Sequence, residues 1–96
     1  MELGKLREHI PLYSDTTGAT MGHIDVHENG VKIAANEQTY LCPLDYVESI
    51  TEERELALGK MQAHMVFYEI MGMRHELKFI ISVVQLATLR RMCGKD

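Results

Sequence analysis

The dipeptide Asn29-Gly30 is the sequence feature that most constrains how this chain folds. It lies between two short runs, residues 23–27 and 31–33, that contain β-branched apolar residues, and the first run alternates strictly between polar and apolar. Asparagine and glycine accept the positive φ angles that a tight hairpin turn requires, and alternation with period two is typical of a half-buried strand. We therefore predict an antiparallel hairpin that turns at Asn29-Gly30.

A second hairpin is predicted from residues 62–71 and 74–81, with its turn at Gly72. The later run alternates cleanly, with charged side chains on one face and mainly apolar ones on the other. The earlier run is apolar on both faces. Such a strand lies either in the centre of a covered sheet or with one face against a partner.

The end of the chain carries the signals of one helix. Ser82 is a predicted N-cap with Gln85 three residues later, and Gly94 is a predicted C-cap. Between them an apolar stripe has helical spacing, and its members are Val83, Leu86, Leu89 and Cys93. We predict a helix from Val83 to Met92, and for the whole chain a β-rich α+β fold: an antiparallel sheet or partial barrel with one C-terminal helix.

The remaining segments fit the same plan. Pro11 argues against a helix near the start, so residues 3–13 are predicted to be an edge strand or an extended lead-in. A loop at residues 14–18 and a turn at residues 36–38 follow. The length of 96 residues suits a single domain, 1–96, with its core at about residues 18–94.

Two segments resemble the opening of PH-like and GRAM-like domains. They are residues 22–33, GHIDVHENGVKI, and residues 43–50, PLDYVESI, in which Leu44, Val47 and Ile50 occupy the apolar positions of a characteristic strand. Within that fold the chain is similar to the archaeal taxis adaptor family, which couples chemotaxis response regulators to the motility motor. The resemblance implies a scaffold for protein contacts.

The chain also departs from the wider PH pattern. It has no tryptophan, and His23, Asp25, His27 and Glu28 stand where a Lys/Arg cluster would bind phosphoinositides. We therefore expect no such lipid ligand.

The charge balance disfavours two classes of partner. A formal net charge of -4 is unfavourable for general nucleic-acid binding and for an anionic membrane surface. A contact with nucleic acid through the basic residues Arg90, Arg91 and Lys95 is a third-ranked alternative. We expect a cytoplasmic protein in which Cys42 and Cys93 are free thiols, although one disulfide between them is conceivable.

A metal site at His23, Asp25 and His27 is conceivable, because these residues share one face of a strand. Residues i and i+4 lie about 13 Å apart along a strand, at ~3.3 Å per residue. Both histidines cannot bind one ion, so we predict no metal and no cofactor.

Nothing in the sequence marks a catalytic centre, and we predict a non-catalytic adaptor or protein-interaction module. The alternative is a small enzyme or ligand-binding domain with a site near His64, His75 and Tyr68. Because methionine suits adaptable contact surfaces, the predicted partner-binding or self-association residues come from the second hairpin. They are Met65, Phe67, Met71 and Met73.

Overall fold

The computed structural model describes residues 2–95, which form seven strands, one α-helix and a short 3₁₀ helix, Leu44–Tyr46. The strands are β1 (Leu6–Tyr13), β2 (Thr20–His27), β3 (Gly30–Ala35), β4 (Gln38–Pro43), β5 (Val47–Glu55), β6 (Lys60–Tyr68) and β7 (Arg74–Ser82), and the helix is α1 (Val83–Met92). All strand pairs are antiparallel, in the order β4-β3-β2-β1-β7-β6-β5. The predicted β-rich α+β class with one C-terminal helix is confirmed.

The open sheet consists of two halves that share one core. Within residues 2–95, the ladder between β1 and β7 is the single pair Tyr13 and Ile80, so the β1–β4 half meets the β5–β7 half at one point. Buried apolar side chains from all seven strands nevertheless form one cluster. Leu86 and Leu89 of α1 belong to that cluster, and α1 packs on β6 and β7.

The tight turn with positive φ angles lies one connection later than expected. The hairpin of β2 and β3 is present, but Asn29 and Gly30 are not among the positive-φ residues. Asn36 and Glu37, between β3 and β4, have φ values of 53° and 67°. Because Ala35 pairs directly with Gln38, these two residues form the compact turn that the sequence assigned to Asn29-Gly30.

The position of β1 corrects the expectation of an edge strand. β1 pairs along its length with β2 and lies in the middle of the strand order. Its other side meets β7 at Tyr13 alone, so Pro11, which has no N–H to donate, is tolerated there.

An irregular register explains why two apolar residues three apart share the core. Val47 pairs with Phe67, and Ser49 pairs with Val66, so the ladder of β5 and β6 shifts between Val47 and Ser49. Val47 and Ile50 are both buried as a result. In a regular strand, residues three apart would point to opposite faces.

Helix α1 begins and ends where the sequence predicted. Ser82 occupies the N-cap position, although its side chain makes no capping hydrogen bond. At the other end Gly94 has φ +70°, its N–H donates to the Arg91 carbonyl, and the Lys95 N–H donates to the Arg90 carbonyl. This is the pair of bonds that a glycine in the left-handed conformation provides at a helix end.

Candidate functional site

Two of the four predicted partner-binding residues lie in the core. Met65 and Phe67 are 0% and 1% exposed, so the expectation that they belong to a contact surface is wrong. Their side chains point to the side of β6 that faces the other half of the sheet and α1, together with Met61 and Ala63.

The opposite face of β6 is not an exposed apolar surface either. Val66, which lies on that outer face, is 4% exposed although it lies outside the main core cluster. It pairs with Ser49 on β5 and Glu76 on β7. A central strand between two neighbours can therefore bury an apolar residue on its outer face without a partner protein.

The other two predicted residues are exposed and lie in the connection between β6 and β7. Met71 is 85% exposed and Met73 is 61% exposed, and Ile70 beside them is 44% exposed. We call residues 69–73 the methionine turn. Three exposed apolar side chains therefore lie within four residues of one connection, in which Gly72 has φ +91°. Clusters of exposed apolar side chains are candidates for interaction sites.

Hydrogen bonds hold the methionine turn in place. Inside it, the Glu69 N–H donates to the Met73 carbonyl at 3.0 Å and the Gly72 N–H donates to the Glu69 carbonyl at 2.7 Å. The Ile70 N–H donates to the Leu41 carbonyl of β4 at 3.0 Å, which ties the turn to the other half of the sheet. The exposed side chains therefore stand on an ordered backbone.

An aromatic cluster lies beneath the methionine turn. The His75 ring stacks on Phe67 with centroids 5.4 Å apart and contacts Tyr40 with centroids 4.3 Å apart. His75 Nε2 also lies 3.2 Å from a carboxylate oxygen of Glu69. This imidazole therefore supports the turn from the core side.

His64 lies on the other face of the same hairpin. It pairs with Lys78, and its Nε2 lies 2.9 Å from Glu76 Oε1. The Arg74 guanidinium donates a hydrogen bond to that same carboxyl group and lowers its pKa below the ordinary value. His64 is thus part of a polar network on the outer surface.

The alternative enzymatic site is not assembled as the sequence suggested. Side chains of β6 alternate between faces, so His64 and Tyr68 are on the outer side, whereas His75, opposite Phe67, is on the core side. A groove of about 440 Å³ does open where the two halves of the sheet part, near Tyr13 and Phe79. None of His64, His75 and Tyr68 lines it.

Both cysteines are free and buried, on β4 and just after α1. Burial, with a smaller contribution from the nearby Cys93, raises the pKa of the Cys42 thiol to about 12. Burial likewise raises the pKa of Cys93 to about 11. These thiols are protonated at neutral pH, which makes them poor nucleophiles.

The basic residues at the chain end do not form a free cationic cluster. The Arg90 guanidinium lies 3.3 Å from Glu52 and also donates to the Lys95 carbonyl. Arg91 is exposed, on the helix turn beside it. An acidic neighbour within this group reduces its attraction for phosphate.

A cluster on the outer face of β1 and β2 contains a residue that the sequence analysis missed. Asp25 lies between two imidazoles: Nδ1 of His9 is 2.5 Å from Oδ1, and Nε2 of His23 is 3.5 Å from Oδ2. His27 is not a member, and its Nδ1 lies 3.0 Å from the Gly4 carbonyl. His9 was missed because the sequence does not reveal that it pairs with Asp25 across strands.

Comparisons with known proteins identify no family for this chain. No protein-family model, no curated protein and no solved structure matches the chain. Among residues 2–95, no helix has the length and apolar character needed to cross a bilayer.

Proposed function

We propose that this chain is a non-catalytic protein-interaction module whose contact surface is the methionine turn. The observation that carries the proposal is the exposure of Met71, at 85%, on a backbone anchored to β4 and β7. Side chains of this kind expose apolar area that binding would remove from water. An ordered backbone also lowers the entropy that a partner must overcome on binding.

The residues around the methionine turn could form a charged rim around its apolar centre. Arg74 follows Met73 directly and lies within 4.0 Å of Glu48 and Glu76, so both signs of charge are present. Tyr46, which is 41% exposed, precedes Val47, and Val47 pairs with Phe67 at the same end of the sheet. Apolar centres with polar rims are the usual anatomy of protein interfaces.

The order of the elements supports the same proposal. Seven antiparallel strands followed by one helix suit the resemblance to PH-like domains, and with it a scaffold role such as that of the archaeal taxis adaptor family. Fold likeness alone does not establish function, so the proposal depends on the turn.

Site-specific photo-crosslinking in the native host tests this proposal. A benzophenone side chain is placed at position 71 or, as the matched control, at position 58, where Leu58 is 84% exposed in a turn at the opposite end of β6. We expect a specific crosslinked protein from position 71 and none from position 58. A crosslink to a second copy of the chain would identify the partner as the chain itself.

Affinity measurements with the purified crosslinked partner complete the test. Met71→Asp and Met73→Asp should each weaken binding by at least about tenfold, because a charge replaces an apolar contact at the interface centre. Leu58→Asp should leave the affinity within about twofold. Equal affinities for wild type and Met71→Asp, or equal crosslinking from both positions, would reject the methionine turn as the contact surface.

A further inference from the structure

The outer face of the β1–β2 pair holds three metal-ligating side chains close together. One ring nitrogen of each imidazole and one carboxylate oxygen of Asp25 all lie within 4.8 Å of one another. The rings of His9 and His23 have centroids 4.9 Å apart and are tilted by 38°. We propose that His9, His23 and Asp25 form a binding site for a zinc-type divalent transition-metal ion.

The strand register explains how these residues meet. His9 is directly opposite Asp25 in the ladder of β1 and β2, and His23 lies two residues before Asp25 on the same face of β2. Their neighbours Ile10 and Ile24 point to the other face and are fully buried. The rigid core side of both strands therefore positions the three ligands on the outer side.

The donor set fits zinc better than the common hard cations. Imidazole nitrogen and carboxylate oxygen are zinc ligands at roughly 2.0–2.2 Å, whereas Mg²⁺ and Ca²⁺ prefer oxygen alone. Two ligands of a tetrahedral ion lie about 3.4 Å apart, from these bond lengths and the tetrahedral angle. The ligand atoms now lie up to 4.8 Å apart, and the hydrogen-bonded pair of His9 Nδ1 and Asp25 Oδ1 is 2.5 Å apart. Binding therefore requires the imidazoles to rotate and this hydrogen bond to open, which is possible because the His9 side chain is 58% exposed.

The site has three protein ligands and an open side towards solvent. His23 pairs with Pro11 and Ala34, neither of which carries a charge or a long side chain. Lys32 pairs with Asp25 from β3, but it is exposed, so solvent screens its charge. Water can complete the coordination, as it does in zinc sites with three protein ligands.

Binding would link β1 to β2 through an ion held by both strands. An ion that binds the folded chain and not the unfolded one raises the thermal midpoint. This effect is independent of the methionine turn, which lies on the other half of the sheet.

Calorimetric titration of the full-length chain with ZnCl₂ tests the site, after removal of any affinity tag and of bound metal with EDTA. We expect one ion per chain, no comparable heat with MgCl₂, and a raised thermal midpoint with zinc. His9→Ala, His23→Ala and Asp25→Asn should each weaken zinc binding by at least about tenfold, on the scale of lost metal-site contacts. His27→Ala is the matched control and should bind as wild type does.

Two spectroscopic readouts keep the test decisive if a variant folds poorly. In wild type, zinc should shift the imidazole ¹⁵N resonances of His9 and His23 but not those of His27. Co²⁺ should give d–d bands without a thiolate charge-transfer band, because Cys42 and Cys93 are buried. The metal site would be overturned if wild type bound zinc no more tightly than the His9→Ala/His23→Ala double variant does. It would also be overturned if the His9 and His23 resonances did not shift. Either result would mean that these side chains are only hydrogen-bonded surface residues.

Discussion

Gly22 of β2 lies directly against the backbone carbonyl of Ala34 of β3: a Cβ atom at position 22 would be 1.9 Å from that oxygen. Gly22 itself pairs with Ala35, so the contact lies within the ladder of two hydrogen-bonded strands. Close approach of two backbones is a recognised use of glycine inside a strand. The close β2–β3 pairing at this point thus depends on the absence of a side chain.

Gly22→Ala should therefore destabilise the fold strongly. Because the clashing atoms are backbone, one strand must move, and we expect a loss of about 3 kcal/mol, the upper part of the usual overpacking range. Urea unfolding followed by circular dichroism measures it. Thr20→Ala, an exposed change in the same strand, is the control and should stay within about 0.5 kcal/mol of wild type. A midpoint for Gly22→Ala equal to that of the control would contradict the close approach.

Helix α1 should contribute stability through two side chains. Leu86 and Leu89 are 1% and 0% exposed in the shared core, so replacing either with alanine should cost about 2–5 kcal/mol in lost burial and cavity formation. Val84, on the same helix, is 75% exposed. Val84→Ala should leave the urea midpoint nearly unchanged, and similar midpoints for all three variants would mean that the helix does not pack as described.

The helix could be predicted from sequence because its signals are local. Ser82, the stripe through Leu86 and Leu89, and Gly94 lie within 13 consecutive residues, and each agrees with the same helix boundaries. The second hairpin was predictable for a similar reason, since β7 alternates and Gly72 marks the turn. Where all the signals for an element lie within one short segment, the sequence alone is enough to predict that element.

Features that depend on pairing between distant segments could not be predicted. His9 meets Asp25 through a register that spans 16 residues, and nothing near His9 marks it as a ligand. The register shift that buries Val47 with Ile50 is equally hidden, because regular alternation separates them. The burial of Val66 depends on neighbours from two other strands. For the same reason, the candidate site was only half predicted: Met71 and Met73 are exposed, but Met65 and Phe67 are not.

The two buried thiols should make stability fall in alkaline solution. Their folded pKa values, about 12 for Cys42 and about 11 for Cys93, lie above the ordinary value of 9.0. Below pH 9 both thiols are protonated in both states, so their contribution is fully present. Above pH 9 the unfolded chain loses these protons first, and stability falls by roughly 1.4 kcal/mol per pH unit for each thiol until the folded pKa is reached.

Urea midpoints measured between pH 8 and 11 check this dependence. The Cys42→Ala/Cys93→Ala double variant should start from a lower stability and fall less steeply, because tyrosines and lysines titrate alike in both proteins. Parallel curves for wild type and the double variant would contradict the thiol assignment. In the folded wild type, alkylation by iodoacetamide at pH 8 should also be slow for both thiols, and it should become fast in guanidinium.

Phe67 and Met71 belong to one hairpin but should respond in opposite ways to substitution. Phe67 is 1% exposed, packs against Tyr40 and His75, and pairs with Val47, so Phe67→Ala should cost about 3–5 kcal/mol. Met71 is 85% exposed, and Met71→Ala should change stability by no more than about 0.5 kcal/mol. Loss of partner binding in a Phe67 variant would therefore report unfolding, whereas loss in a Met71 variant would report the contact itself. Thermal melts of both variants, compared with their binding curves, separate the two effects. If Met71→Ala were as unstable as Phe67→Ala, the methionine turn would be part of the core and not a surface.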